Sequence, residues 1–579
     1  MRYLALATDY DGTLAHHGKV SEEAVAALKR VAASGRKLLL VTGRELPELI
    51  EIFPEIELFD LVVAENGALL YTPATKQQKL LSDPPSELFV KNLRERGVPI
   101  SVGAVIVATV HPHETIVLET IRDLGLELQV IFNKGSVMVL PPNVNKASGL
   151  NAALEELQLS PHNVVGVGDA ENDHALLSLC EYSAAVANAI PTLIADADYA
   201  CRAGHGAGVI ELIDAMLTDG FGSPSQSSRR RQILLGRDEN NEEVFMPPAS
   251  VNLLVAGSSG AGKSTLATGV LERLAKQGYQ FCIIDPEGDY EEFEEGIVFG
   301  NGDRGPSVDE VLTALEKPNA NVIVNLIGLP IHDRPAFFVR LLPRLLELRA
   351  RTGRPHWILV DETHHLMPTD WDAASSILTQ DLSGIICITV HPDWIARPVL
   401  ESMDIIATLG TEPLEAMQTF ATAIEASMPD IGPVNLESGE ALCWFRYLDN
   451  PPVKLRIEKS QSDRRRHQRK YAEGELPPDR SFYFRGPEEK LNLRAQNLIL
   501  FNQIAQGIDE QTWLHHLNAG DYSEWLRGCV KDDTLANEVA AIEKAHLSAE
   551  ESRQKIREII ETHYTVPAGG GSPAMSIPQ

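Results

Sequence analysis

LALATDYDGTL, residues 4–14, decides how the first third of this chain is read. The apolar run Leu4–Ala7 predicts a buried β-strand. Asp9 and Asp11 then stand at its carboxyl end, where open parallel sheets bind ligands. Side chains two apart in extended chain point the same way, so both carboxylates can face one pocket. Gly12 permits the sharp departure that follows.

The same pattern recurs downstream. SEEAVAALKRVAAS (21–34) predicts a helix capped by Ser21 and stopped by Gly35, and KLLLVT (37–42) predicts a second strand. Alternation of this kind over residues 1–218 is the signature of an α/β fold around a parallel sheet. Further strand ends carry polar groups. Thr42 in LLLVTGRE offers a hydroxyl, backed by the amide of Gly43. Lys146 in LPPNVNKASGL places a positive charge at the start of a helix. In VVGVGDAENDHALL (164–177) a strand ends in Asp169, with Asp173 one turn on. Four carboxylates converging on one pocket repel one another unless a cation neutralises them, and oxygen-only ligands suit Mg2+. Thr42 and Lys146 can hold phosphate oxygens. The chemistry that follows is in-line attack of a carboxylate on phosphorus, giving an aspartyl-phosphate. A second carboxyl group protonates the leaving alcohol and then activates water.

This order of motifs resembles the haloacid dehalogenase superfamily, in its Cof-type, sugar-phosphatase-like branch. The resemblance rests on DYDGTL, VTGRE, ENGA (65–68), the Lys146 segment and GDAENDHALL, and covers about residues 1–218. It implies a Rossmann-like core with a small α/β cap, here 80–143, which is short for such a cap. It implies Asp9 as nucleophile and Asp11 as general acid/base. Thr42, Gly43, Lys146 and Asn172 are the implied phosphate ligands, and Asn66 and Gly67 face substrate. Asp9, Asp11 and Asp169 are the implied Mg2+ ligands, with Asp173 completing or orienting that shell. The implied substrate is a phosphorylated small molecule such as a sugar phosphate.

LLVAGSSGAGKS, residues 253–264, does the opposite job of cradling a phosphate. Gly257, Ser258, Ser259, Gly260, Ala261, Gly262, Lys263 and Ser264 fit G-x-x-x-x-G-K-[ST], with Thr265 next. The glycines let backbone N–H groups turn to the phosphates, Lys263 reaches the β and γ oxygens, and Ser264 binds Mg2+. HWILVDETHHL (356–366) is an apolar strand ending in Asp361 and Glu362, which suit Mg2+ binding through water and polarisation of the attacking water. FCIIDPEGDY (281–290) adds Asp285, Glu287 and Asp289 beside the cradle, either as support for metal or water or as a solvated acidic loop.

Together DPEGDY and DETH resemble HerA-like and FtsK-like motor ATPases over about 233–455. That resemblance implies a RecA-like P-loop domain with ATP at subunit interfaces of a ring, often a hexamer, and so a homo-oligomer. The next strand departs from the motor pattern: it reads ITVHPDW, which leaves His391 as a guess for the sensor. Arg340, Arg344, Arg349, Arg351 and Arg397 are all candidates for an arginine finger.

Bulk properties fit a multidomain protein. At about 150 residues per domain, 579 residues suggest three or four domains. DGFGSPSQSSRRRQ (219–232) reads as a linker, 233–460 as the P-loop domain, 461–564 as mostly helical, and 565–579 as a disordered tail. In the helical zone Leu493, Leu498, Phe501 and Ile504 are spaced as on a helix, and Ser548 with Glu551 forms a capping box. Six scattered Cys fit reduced thiols in a cytoplasmic protein, and no apolar run is long enough for a membrane span. A net charge of −30 opposes nonspecific binding to nucleic acid or anionic membranes over most of the surface, without excluding a local basic channel. The basic run 464–470 reads as a solvated linker.

Three functions remain open from the sequence: a two-headed enzyme joining a phosphatase to an ATPase, a kinase–phosphatase such as a polynucleotide end-processing enzyme, and a nucleotide-gated scaffold. Asp361 with Glu362 favours the first over a small kinase.

Overall fold

The computed structural model describes residues 3–218 except 134, then 221, 229–369 except 259, 382–458 except 430 and 449, 460, 476, 481–530 except 488–490, and 533–564 except 546. It is mixed α/β and divides into two compact units, Met1–Lys459 and Ser460–Gln579.

The first unit is built on two large sheets. Its N-terminal sheet has eight strands, and the three that carry the acids and Thr42 are neighbours: Val164–Gly168, Ala5–Thr8 and Lys37–Val41, followed by Leu61–Ala64. They pair in parallel, with Ala5 opposite both Val164 and Lys37. Nearly every residue in them is buried, because helices cover both faces. The helix Glu22–Ala33 starts where the sequence predicts, with the Ser21 side chain accepting from the Ala24 N–H.

A separate four-stranded antiparallel sheet forms between residues 101 and 140. One face packs on the helices Glu87–Glu95 and Glu114–Leu124 through Phe89, Leu93, Val117 and Val139. Met138, Val105 and Ile106 cluster instead with Ala68 of the main sheet's ENGA turn.

The second large sheet has eleven strands, and its central order sets where the Gly257–Ser264 loop lies. Leu253–Gly257, which leads into the cradle, pairs with Ile385–Thr389, which pairs with Trp357–Val360 and then Phe281–Asp285, all parallel. The ends of the cradle strand and the Asp361 strand are therefore one strand apart, with Thr389 between them.

The two sheets are joined by buried polar contacts at the starting ends of their strands. Asn163, just before the Asp169 strand, donates to the Gly353 carbonyl at 3.3 Å. Arg354 is 0% exposed and donates to the carbonyls of Gln158 at 2.8 Å and Leu315 at 3.1 Å. The His162 ring stacks on Tyr279 at 3.7 Å, and its Nε2 lies 2.9 Å from the Gln277 carbonyl. Tyr279 donates its hydroxyl to Glu181 at 2.7 Å, which also sits 2.8 Å from His162 Nδ1. From the segment expected as a linker, Arg231 donates to the Leu179 carbonyl and Arg230 pairs with Asp198. This anchoring makes the end of that segment part of the fold.

The second unit contains a two-stranded antiparallel sheet, Phe482–Phe484 with Leu493–Ala495, and helices that include Leu498–Gly507, Glu510–Ala519 and Ala549–Tyr564. Leu493, expected on a helix with Leu498, lies in a strand instead; the helix begins only after Asn497 caps it. Phe482, Phe484, Phe501, Trp513 and Tyr522 are buried together and form the core of this unit. The Ser548–Glu551 box is present. The basic run 464–470 and residues 565–579 lie outside the described residues. Among the described residues no helix is long and apolar enough to cross a membrane.

The joint gives a direct test. Gly353 has φ +68°, and a Cβ there would sit 2.2 Å from Asn163 Nδ2. Gly353→Ala is expected to destabilise the first unit by more than the about 1–2 kcal/mol that left-handed backbone alone costs. Urea unfolding of the variant should show an earlier midpoint.

Candidate functional sites

The first site gathers at the carboxyl ends of three adjacent strands. Asp9, Asp169 and Asp173 are all buried, and one carboxylate oxygen from each lies within 4.8 Å of the others. Lys146, 1% exposed, joins them: its Nζ donates to Asp9 Oδ1 at 2.5 Å and to Asp173 Oδ1 at 2.6 Å. The lysine arrives from the first turn of the helix Lys146–Glu156, fixed by an Asn145–Ser148 capping box. Asp173 Oδ2 also accepts the N–H groups of Asp169 and Ala170, which closes the GDAEND turn.

Electrostatics follow from burial. Desolvation, then Asp173, push Asp9 up to about 7 against the pull of Lys146. Burial disfavours the Lys146 ammonium, but Asp173 and Asp9 outweigh it and hold the group above its ordinary value. Three carboxylates face one ammonium, so the donor set is short of positive charge and all-oxygen, which fits Mg2+.

The remaining expected residues lie around this cluster. Thr42 is buried at the end of its strand, and its hydroxyl accepts from the Arg44 N–H. A Cβ on Gly43 would lie 3.5 Å from Met138 Sδ, 3.8 Å from Asn172 Nδ2 and 4.0 Å from Asn66 Oδ1. The small sheet and both asparagines thus overhang the Thr42–Gly43 loop, and Asn172 donates to Asn66 at 3.0 Å. Asp11 lies outside the three-carboxylate group. Its oxygens are held by Arg44, from Nε at 2.5 Å and Nη2 at 2.7 Å, and Arg44 also pairs with Glu48.

Gly67 is required by the backbone. With φ +109°, a Cβ there would sit 1.9 Å from the Asn145 carbonyl oxygen, so only glycine lets the turn approach the residue before Lys146. Beside it, Glu65 has φ 51° and its carboxylate accepts the N–H groups of Ala104, Val105 and Ile106. That carboxylate ties the main sheet to the small one.

The second site follows the cradle strand. Gly257, Gly260 and Gly262 have φ of 152°, 78° and 96°, and Ser258, Ala261, Ser264 and Thr265 stand among them; Ser259 lies outside the described residues. Lys263 begins the helix Lys263–Lys276, and its Nζ donates to the Ser258 carbonyl at 3.0 Å. Asp361 is buried and accepts the Glu362 N–H at 2.8 Å; burial pushes its pKa up to about 7 against that hydrogen bond. Glu362 is also raised, by burial and then by Glu287. Asp285 is committed to its own loop: it accepts N–H groups from Gly288, Asp289 and Tyr290.

Sequence reasoning missed several residues here. Thr13 and Asn188 both donate to Asp169, at 3.2 and 3.3 Å. Thr13 belongs to the quoted DGTL run, whereas nothing local marks Asn188. Thr389 is the polar group at the end of the intervening strand, with its hydroxyl 3.1 Å from His364 Nδ1. His391, guessed as the sensor, stacks on Trp394 at 4.1 Å. Of the five arginines, Arg344 pairs with Asp309, Arg351 with Glu316 and Arg397 with Glu425; Arg349 donates to two carbonyls and Arg340 lies over Phe337.

Known proteins match both halves. Residues 6–113 and 105–213 match the haloacid dehalogenase-like hydrolases, and residues 250–333 match the central domain of the helicase HerA. A phosphoglycolate phosphatase of Methanothermobacter thermautotrophicus is 32% identical over 219 residues, covering 36% of this chain and 96% of its own. One from Haloarcula marismortui is 30% identical over 217 residues, 36% of this chain and 95% of its own. Among solved structures, a haloacid dehalogenase-like hydrolase from Bacteroides thetaiotaomicron aligns with 37% of this chain and 99% of its own, at 18% identity and a TM-score of 0.34.

The raised Asp9 sets a pH-dependent outcome. Its pKa moves from 3.8 to about 7 on folding, so the folded state retains a proton that the unfolded chain releases. This contribution is fully present below the lower value, falls as pH rises between the two, and stays lost above the upper one. Metal-free Asp9→Asn protein is therefore expected to melt at a higher temperature than wild type at about pH 8, with the gap shrinking toward about pH 4. Differential scanning calorimetry across that range measures it.

Proposed function

Because this chain belongs to the haloacid dehalogenase-like hydrolases and carries a HerA-type central domain behind that hydrolase, we propose that it is a two-headed enzyme, a Mg2+-dependent phosphomonoesterase joined to an ATP-hydrolysing P-loop unit. The observation that carries the first half is the buried Lys146 bridging Asp9 and Asp173 beside Asp169. In this reading residues 1–218 are the phosphatase with its cap at 80–143, 219–232 the linker, 233–460 a RecA-like ATPase, and 461–564 a helical region for packing or partner binding.

Asp9 is the nucleophile. Its carboxylate attacks phosphorus in line, and the ester oxygen leaves with the bonding pair as an aspartyl-phosphate forms. Asp11 gives that oxygen its proton, then takes one from the water that cleaves the acyl-phosphate. To do so Asp11 must exchange its Arg44 partner for the leaving group, which makes Arg44 a holder of the resting acid. Thr42, the Gly43 amide, Lys146 and Asn172 receive the phosphoryl oxygens. Asp9, Asp169 and Asp173 would hold Mg2+, which when bound would neutralise charge on the transferring group. Phosphoglycolate is the first substrate to test, since the two relatives named above carry that activity in their names.

In the second half, Lys263 and the Gly257–Gly262 backbone hold the nucleotide phosphates, and Ser264 and Asp361 would hold its Mg2+. Glu362 polarises the attacking water. A finger arginine from a neighbouring copy would complete the site, in a ring.

Full-length Asp9→Asn should lose phosphatase turnover by at least about 1000-fold while still hydrolysing ATP. Residual phosphatase activity near wild type would remove Asp9 from the nucleophile role. Lys263→Ala should lose ATP binding, whereas Glu362→Gln should bind ATP and fail to cleave it. Isothermal calorimetry with single-turnover kinetics separates the two, and wild-type cleavage by Glu362→Gln would place the base elsewhere.

A further inference from the structure

The strand Trp357–Val360 ends in Asp361, and the chain then turns sharply at Glu362, whose φ of 42° is left-handed. A non-glycine residue there is strained, and such strain persists where the surroundings enforce it. The turn leads into the one-turn helix Thr363–Leu366. Two consequences follow for side chains. The Glu362 carboxylate folds back toward the helix, with Oε2 3.4 Å from His364 Nδ1. The neighbouring imidazoles of His364 and His365 come side by side, with ring centroids 4.1 Å apart.

One donor atom each from Glu362, His364 and His365 therefore lies within 4.8 Å of the other two. His364 is buried and anchored by the Thr389 hydroxyl, whereas His365 is exposed. Glu287 and Asp289 add negative charge that acts on Glu362, against Lys263. Two imidazoles and one carboxylate, with an open side toward solvent, are a ligand set for a borderline divalent transition ion; Mg2+ prefers oxygen alone.

We propose that Glu362, His364 and His365 form a site for a transition-metal ion of the Zn2+ class, distinct from any Mg2+ held by Ser264 and Asp361. An ion there takes the Glu362 carboxylate as a ligand. On the ATPase reading above, the same carboxylate is then unavailable to polarise water, so Zn2+ would switch ATP hydrolysis off.

The test uses full-length protein in excess Mg2+, which keeps the all-carboxylate and nucleotide sites occupied. Co2+ is the probe, because imidazole ligation gives visible d–d bands; Zn2+ is then added to displace it. Wild type should bind one Co2+ with such bands and release it to Zn2+. His365→Ala should bind that equivalent at least about tenfold more weakly. Its side chain is exposed, so an unchanged melting curve is expected, and Glu362→Gln provides a second loss that leaves both imidazoles in place. A Co2+ isotherm for His365→Ala that superimposes on wild type, or no imidazole-type bands in wild type, overturns the site. These readouts do not depend on ATP turnover: a protein that binds the ion but never hydrolyses ATP keeps the site and loses the ATPase reading.

Discussion

Lys146 is the constraint on which the phosphatase-like half depends. Three buried carboxylates within one cluster are a heavy electrostatic load, because desolvation and mutual repulsion act together. A single ammonium, itself buried, bridges two of them. Placing it takes a chain of local devices. Asn145 and Ser148 cap the helix that carries it, and Gly67 gives up a side chain so that the ENGA turn can pass beside Asn145. Glu65, two residues earlier, accepts three amides from the turn between the first two strands of the small sheet. The lysine, the turn and the overhanging sheet are thus one mechanical assembly, and each part fixes the position of the next.

The HerA-like half solves a different problem with strand order. Its cradle and its Asp361 strand are separated by one strand, so the polar end of that strand, Thr389, sits between them and holds His364. Asp285, which the sequence left open as support for metal or water, is used up in organising its own loop. Glu362, which lies within reach of the Lys263 charge, takes a left-handed turn, and the imidazoles of His364 and His365 follow it with centroids 4.1 Å apart.

The way the halves are joined bears on why one polypeptide carries both. The helix Lys263–Lys276 is capped at its end by Gln277, whose carbonyl meets His162, and His162 stands just before the strand that leads into Asp169. The strand that ends in Asp361 begins just after Arg354, which is buried against the carbonyl of Gln158. Both elements therefore meet the segment that leads into the Asp169 strand, through hydrogen bonds that run between the two halves.

The sequence by itself determined the parallel α/β character of both halves, and the residues Asp9, Thr42, Lys146, Asp169 and Asp173 as one set. The reason is local: apolar runs that end in polar residues mark the ligand end of buried strands, and that signal needs no partner. It also specified the cradle, because a glycine-rich turn before a helix is read from adjacent residues. What it missed depends on chain segments far apart. Asn188 on Asp169, Arg44 on Asp11, Arg354 on Gln158 and Thr389 on His364 are pairings set by which strands and helices are neighbours, and strand order is not written in any one segment. Leu493 shows the same limit at small scale: its spacing from Leu498 fits a helix, but pairing with Phe484 makes it a strand, because packing against a partner outweighs periodicity over so short a run.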